Sequence, residues 1–276
     1  MKFLGLDLEA TDKEPTTARI TELGIMKFEI LDTPPDEGTG FGIQILVKGG
    51  SLVYESDYPP QSEEVLRVTG ISDEDLISKG KSFRDALLSM DSAVGDDFDY
   101  IVCHNKGYDE VLFKAELERH KDKFTPEFVA KWVGKPWICT LRDVEYPDHQ
   151  KCKKLSHLAL DHGVPIDPAT LHRSVGDVNL MLLLLEYGQY DLRQVIERMK
   201  IPDIYIRAVV PSPFGRNGDG GAGKDHAKAC GYGWQTAPGT DKPVFDLCWV
   251  KKIKEDRFDA EKLRLGDKYE VKKIEV

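Results

Sequence analysis

Three short segments hold side chains whose types and spacing suit one kind of chemistry. In the first, Asp7 and Glu9 stand two apart at the end of the apolar run Phe3-Leu4-Gly5-Leu6. On an extended chain that spacing sends both carboxylates from one face of a sheet. Such a pair makes half of a site for a hard divalent cation, which takes several oxygen ligands. Taken alone, it equally marks a strand leaving the core. In the second segment, His104-Asn105-Lys106-Gly107-Tyr108-Asp109 follows Ile101-Val102-Cys103, which places Asp109 early in a helix where a strand ends. In the third, His172 stands just before a strongly apolar helix, and Asp177, five residues on, falls in its first turn. An aspartate near a helix start is ordinary by itself, because it complements the dipole, and a loop histidine is commonly a surface residue. All three segments in one chain, each attached to a strand end or a helix start, point together to a carboxylate-lined site.

The elements that hold those segments follow from apolar periodicity. Lys2 to Leu8 reads as a short buried strand. Arg19 to Ile30 carries Ile20, Leu23, Ile25, Met26, Phe28 and Ile30, the later ones alternating as in a strand, and Gly42 to Val47 is a third strand. The turn residues Thr33-Pro34-Pro35-Asp36 and Gly38 make the second and third strands antiparallel neighbours. Ser62 starts a helix before Val65 and Leu66, although Val65 stands where a full capping box needs Glu or Gln. Phe83, Ala86, Leu87 and Met90 have helical spacing; Tyr100 to Cys103 and Trp137 to Cys139 are strands; Gly107 to His120 is a helix. Leu155 to His162, closed by Gly163, and Val175 to Tyr187, closed by Gly188, are two more helices. Three strands followed by alternating helices and strands predict an α/β body, a mixed sheet covered by helices.

The combined motif set resembles the DEDD-type 3′–5′ exonucleases, and within them the DEDDh branch that contains the proofreading exonuclease subunit of bacterial DNA polymerase III. The matching residues are Asp7-Leu8-Glu9-Ala10-Thr11, His104-Asn105-x-x-Tyr108-Asp109, and His172 followed five residues later by Asp177. Arg19-Ile20-Thr21-Glu22-Leu23-Gly24, Val68-Thr69-Gly70-Ile71-Ser72 and Leu155-x-x-Leu158-Ala159 before Gly163-Val164 are secondary matches. The resemblance covers roughly residues 1–190. Asp12 and Ser174 depart from the family pattern, which commonly has glycine and alanine there. What the resemblance implies is a ribonuclease H-like fold in which Asp7, Glu9, Asp109 and Asp177 hold two Mg²⁺ or Mn²⁺ ions. His172 is then the general base that takes a proton from the attacking water, a task suited to a residue type that changes charge near neutral pH. Leu8, Thr11 and Asn105 would line the pocket for the terminal nucleotide, whereas Tyr108 has a packing role. The expected activity is a 3′–5′ exodeoxyribonuclease releasing nucleoside 5′-monophosphates. An exoribonuclease for RNA ends or short oligoribonucleotides is the alternative, and a non-catalytic nucleic-acid-binding or polymerase-associated protein is a further one. The expected partners are a nucleic acid with a 3′ end, single-stranded DNA first, and a polymerase or a replication or repair complex.

Composition sets the frame. The 276 residues carry 38 Lys and Arg against 48 Asp and Glu, a net charge of −10, with 41% hydrophobic residues. The longest apolar run, Leu180 to Leu185, is too short to cross a bilayer. No membrane association is expected, and the start of the chain has no secretory apolar region. Five cysteines without a CxxC pair suit reduced thiols in the cytoplasm. Residues 200–276 hold 15 basic and 12 acidic side chains, a net of +3, which leaves −13 for residues 1–199. A Pro- and Gly-rich run from Val210 to Thr240 (Pro211, Pro213, Gly218, Gly220, Gly221, Gly223) reads as loop. The chain thus divides into an exonuclease domain over 1–199 and a small, mildly basic α+β module over 200–276. In the module, Phe245, Leu247 and Trp249 alternate as a strand against Asp246 and Cys248, and Lys251, Lys252 and Lys254 follow. Aromatic residues beside lysines can stack bases and neutralise phosphates; equally, the module can pack its aromatics on the body and leave its lysines solvated. Two apparent motifs fail. Gly218-x-x-x-x-Gly223-Lys224 lacks the Ser or Thr of a phosphate loop and reads as a flexible loop. His149, Cys152, His157 and His162 fit no zinc spacing.

Overall fold

A computed structural model describes residues 1–32, 41–147, 149–150, 152–211, 220–236, 247–266 and 269–274. The turn expected at Thr33 to Asp36 and Gly38 lies outside the described residues, as do Pro213, Gly218, Phe245 and Asp246. The chain separates into two compact units, Met1–Val195 and Ile196–Val276. No helix among the described residues is long and apolar enough to cross a membrane.

The first unit is built on a five-stranded sheet in the order β3-β2-β1-β4-β5. Its strands are β1 (Lys2–Ala10), β2 (Ile20–Leu31), β3 (Gly42–Leu52), β4 (Tyr100–Cys103) and β5 (Trp137–Cys139). β1, β2 and β3 are antiparallel neighbours, and β4 and β5 run parallel to β1. The helices are α1 (Glu63–Thr69), α2 (Asp73–Lys79), α3 (Phe83–Val94), α4 (Lys106–Arg119), α5 (Pro126–Gly134), α6 (Leu155–Asp161), α7 (Ser174–Tyr187) and α8 (Leu192–Met199), the last carrying the chain into the second unit. Ser62 caps α1 through its side chain, which accepts the Val65 N–H at 3.2 Å without the rest of a capping box. Alternation on the central strand sorts its residues. Leu4, Leu6, Leu8 and Ala10 enter the main core with Leu23, Ile25, Phe83, Leu87, Leu112, Phe113 and Trp132. Gly5, Asp7 and Glu9 point to the opposite face.

That opposite face is cut low where α7 approaches it. Asp7 pairs with Gly24 of β2, and Gly24 pairs with Gly50 of β3, so one row across three strands is nearly bare of side chains. A Cβ on Gly24 would stand 2.4 Å from the backbone of Ser174 and Val175, and one on Gly50 would stand 2.5 Å from Val175 Cγ2. The first turn of α7 therefore rests directly on the sheet beside Asp7. Gly24→Ala is expected to force that turn off the sheet at a cost of about 1–3 kcal/mol, which thermal and urea melts will register.

The second unit carries an antiparallel sheet in the order β7-β8-β6-β9, from β6 (Asp203–Val209), β7 (Gly233–Thr236), β8 (Leu247–Lys254) and β9 (Glu270–Ile274). One face packs Ile206, Ala208, Trp249 and Val271 against Ala227, Cys230, Tyr232 and Leu265. The last four come from α9 (Ala222–Ala229), the residues following it and α10 (Phe258–Leu265). The expectation of loop through Val210 to Thr240 is corrected here: Gly223 and Lys224 lie in α9, and Trp234 lies in β7. Gly221, at φ 99°, turns the chain into α9, and the buried Ala227 holds that helix on the sheet.

Candidate active site

β1 delivers Asp7 and Glu9 to the α7 side of the sheet, and α7 delivers Asp177 from its first turn. One carboxylate oxygen from each of the three lies within 4.8 Å of the others, the one cluster of this kind among the described residues. Asp109 comes from α4, is 4% exposed, and stands close enough to Asp7 for their like charges to act on each other. The four acids named from sequence therefore occupy one neighbourhood, reached from β1, α4 and α7.

Their electrostatics are those of a site short of positive charge. Burial, followed by repulsion from Asp109, Glu9, Asp177 and Glu22, holds the Asp7 carboxyl well above the usual carboxylate range. Burial and the neighbouring Asp177, Glu22 and Asp109 push Glu9 up to about 8. Asp109 is pushed up to about 7, chiefly by burial, although backbone hydrogen bonds at Asp109, Asn105 and Leu8 pull the other way. Burial also raises Asp177, against a favourable charge and a backbone hydrogen bond from His172. Several carboxyls raised together by burial and mutual repulsion make this cluster a candidate functional site.

A cleft of about 550 Å³ opens beside Asp177 and is lined by His172, His104, Asn105, Lys153, Lys154 and Ser156, among others. His172 is exposed and holds a left-handed backbone (φ 56°) that few non-glycine residues adopt. Asn105 precedes α4 and is exposed on the cleft. Thr11 is 8% exposed, and its hydroxyl accepts the Arg19 N–H at 3.0 Å, closing the loop after β1. Leu8 turns its side chain into the core, 5% exposed, and faces the acids through its backbone alone. Tyr108 packs on the core and donates its hydroxyl to the Asp12 carbonyl. Sequence reasoning passed over Lys153 and Lys154; the signal was the lysine run before Leu155. It also passed over the contact of Glu22 with Arg173 and Ser174. His162, rejected as a zinc ligand, bonds to the Leu158 carbonyl and the Tyr190 hydroxyl.

No known family profile matches the sequence, and no curated protein does. Solved structures do match. E. coli exonuclease I in complex with a dT13 oligonucleotide aligns over 98% of this chain and 65% of that one, with a TM-score of 0.55 and 11% identity. A second exonuclease I structure aligns over 96% and 67%, with a TM-score of 0.58 and 13% identity. The fold is ribonuclease H-like. A full-length 3′-exonuclease aligns over 70% of this chain and 82% of its own, with a TM-score of 0.50 and 16% identity. The chain spans about two thirds of the exonuclease I chain, 65% in the dT13 complex. Its mixed five-stranded sheet flanked by helices is the ribonuclease H-like part expected from the motifs.

Proposed function

We propose that the chain is a divalent-metal-dependent 3′–5′ exodeoxyribonuclease of the DEDDh type, which removes nucleoside 5′-monophosphates from single-stranded DNA. The observation that carries this reading is the meeting of Asp7, Glu9 and Asp177 within 4.8 Å, beside a buried Asp109. The donor set fits Mg²⁺ or Mn²⁺: every group is a carboxylate oxygen, the choice of hard cations, and the cluster concentrates negative charge that a cation offsets. Two such ions, when bound, stabilise the attacking and leaving oxygens of an in-line displacement at phosphorus. Asp7, Glu9, Asp109 and Asp177 are the residues that would hold them. His172, on the cleft beside Asp177, takes the proton of the attacking water at its ring. Asn105, Thr11 and the backbone of Leu8 border the place of the terminal nucleotide, and Lys153 and Lys154 bring positive charge to its phosphates. The dT13 complex of exonuclease I supports DNA as the substrate.

Residues 1–199 carry the catalysis in this proposal, and 200–276 form a module that grips the nucleic acid. Three basic residues on the sheet face away from its core support that role: Arg207, Lys252 and Lys272 are exposed, and Lys252 Nζ, paired with Asp203, lies 6.0 Å from the Tyr205 ring centroid.

The decisive assay incubates 3′- and 5′-labelled DNA and RNA single strands with Mg²⁺, Mn²⁺ or EDTA. Loss of nucleotides from DNA 3′ ends, dependent on the cation, is the expected result. Faster shortening of RNA would replace the substrate with RNA. Shortening of neither polymer, with Asp7→Ala identical to wild type, would overturn the enzyme reading.

A further inference from the structure

We propose that Glu22 and Arg173 form a strut that positions His172 and the first turn of α7, making both of them positioning residues for the reaction. The inference rests on the exonuclease reading above. Glu22 is the register partner of Glu9, so it lies on the same sheet face, one strand away from the acid cluster. Its side chain is 8% exposed, and its carboxylate is fully engaged elsewhere. Oε1 accepts from Arg173 Nε at 3.1 Å and Nη2 at 2.5 Å, and Oε2 accepts from Arg173 Nε at 3.2 Å and from the Ser174 backbone N–H at 2.9 Å.

Two consecutive residues are thus tied to one buried carboxylate. Ser174 begins α7, and its N–H is among the donors that a helix leaves without an internal partner. Arg173, the cap residue, makes no side-chain capping bond, so the strand supplies the acceptor instead. Immediately before this pair stands His172 with its φ of 56°. A backbone conformation of that kind persists where surrounding contacts over-determine it. The Thr170 side secures the other flank, because a Cβ on Gly176 would stand 2.0 Å from the Thr170 carbonyl oxygen. The forked guanidinium also matches the carboxylate in plane, which a lysine cannot do. With Arg173 in place, Glu22 is a paired anion; without it, a fifth free carboxylate would stand next to Glu9.

The strut acts on the geometry of the base and of Asp177 rather than on substrate contact, so its removal should lower kcat and spare KM. The test uses the full chain with Arg173→Ala, Arg173→Lys and, as control, Arg193→Ala. Arg193 makes a comparable forked pair with Asp191, Nε to both oxygens at 3.0 Å. On 3′-labelled single-stranded DNA with Mg²⁺, Arg173→Ala is expected to lower kcat roughly 30-fold with KM within about twofold. Arg173→Lys should recover part of that loss, and Arg193→Ala should match wild type. Hydrogen exchange of the metal-free protein supplies a readout independent of activity: Arg173→Ala should speed exchange at residues 172–177 about tenfold, leaving the sheet unchanged. Unchanged kcat, unchanged exchange at 172–177, or a uniform rise in exchange over the whole chain would each overturn the strut. If wild type itself shortens no strand, the exonuclease reading falls, and the exchange result alone decides whether the pair fixes the turn.

Discussion

Asp7→Asn is expected to abolish the proposed exonuclease activity and, in the same molecule, to raise the melting temperature of the metal-free protein. The two effects have one cause. Burial and four neighbouring acids, Asp109, Glu9, Asp177 and Glu22, disfavour the charged Asp7 carboxylate. Asparagine keeps the shape and has neither a charge to repel the other acids nor a proton to take up on folding, so that cost disappears. Relief of about 1–2 kcal/mol corresponds to a rise of roughly 2–8 °C. Activity moves the other way, because the lost carboxylate is one of the groups proposed to hold the divalent cations. A deficit of about 4 kcal/mol in transition-state stabilisation gives on the order of a 10³-fold loss. Differential scanning fluorimetry in EDTA and the labelled-strand assay in Mg²⁺ read the two sides. In Mg²⁺ the order of stability should invert, with wild type above the variant. A variant that loses activity and also melts lower in EDTA would assign Asp7 a structural role, against the proposal.

The site was more legible in the sequence than the means of assembling it. Asp7 and Glu9 share a face because alternation along a strand is local, and the helix carrying Asp177 was visible from the apolar run after Val175. The close seating of that helix was not visible. It depends on Gly24 and Gly50 falling in register with Asp7 across three strands, a relation that no local pattern encodes. The same holds for Glu22, whose partners Arg173 and Ser174 lie 151 and 152 residues away. Leu8 shows the converse: its place inside the core follows from the alternation that sends Asp7 and Glu9 outward, and a motif match had set it beside them. In the second unit, Ala222 to Ala229 looked like loop because Gly and Pro crowd its neighbourhood. Burial of Ala227 against the sheet overrides that composition.

The metal-free protein is also expected to lose stability as pH rises, and divalent cations should restore it increasingly over the same range. Glu9 is pushed up to about 8 and Asp109 to about 7, from ordinary values of 4.5 and 3.8. Between the ordinary and the raised value, the native state keeps a proton that the unfolded chain has released. Stability rises with pH where the unfolded state binds more protons; here it binds fewer, so stability falls. The decline begins near pH 4 and continues while any raised carboxyl holds its extra proton: Asp109 carries it to about 7 and Glu9 to about 8, and the raised Asp7 and Asp177 add to it. Cation binding needs the carboxylates ionised, so it competes with those protons at low pH and meets little competition at pH 8. Binding to the native state alone adds stability in proportion to the logarithm of ligand over its dissociation constant. The difference in melting temperature between 10 mM Mg²⁺ and EDTA should therefore be near zero at pH 5.5 and reach about 5–10 °C at pH 8. Glu9→Gln should lessen the decline in EDTA, since one of the raised groups is gone. A melting temperature in EDTA that climbs from pH 5.5 to 8, or a Mg²⁺ effect of equal size at both ends, would mean that the four acids do not share a buried, cation-dependent site.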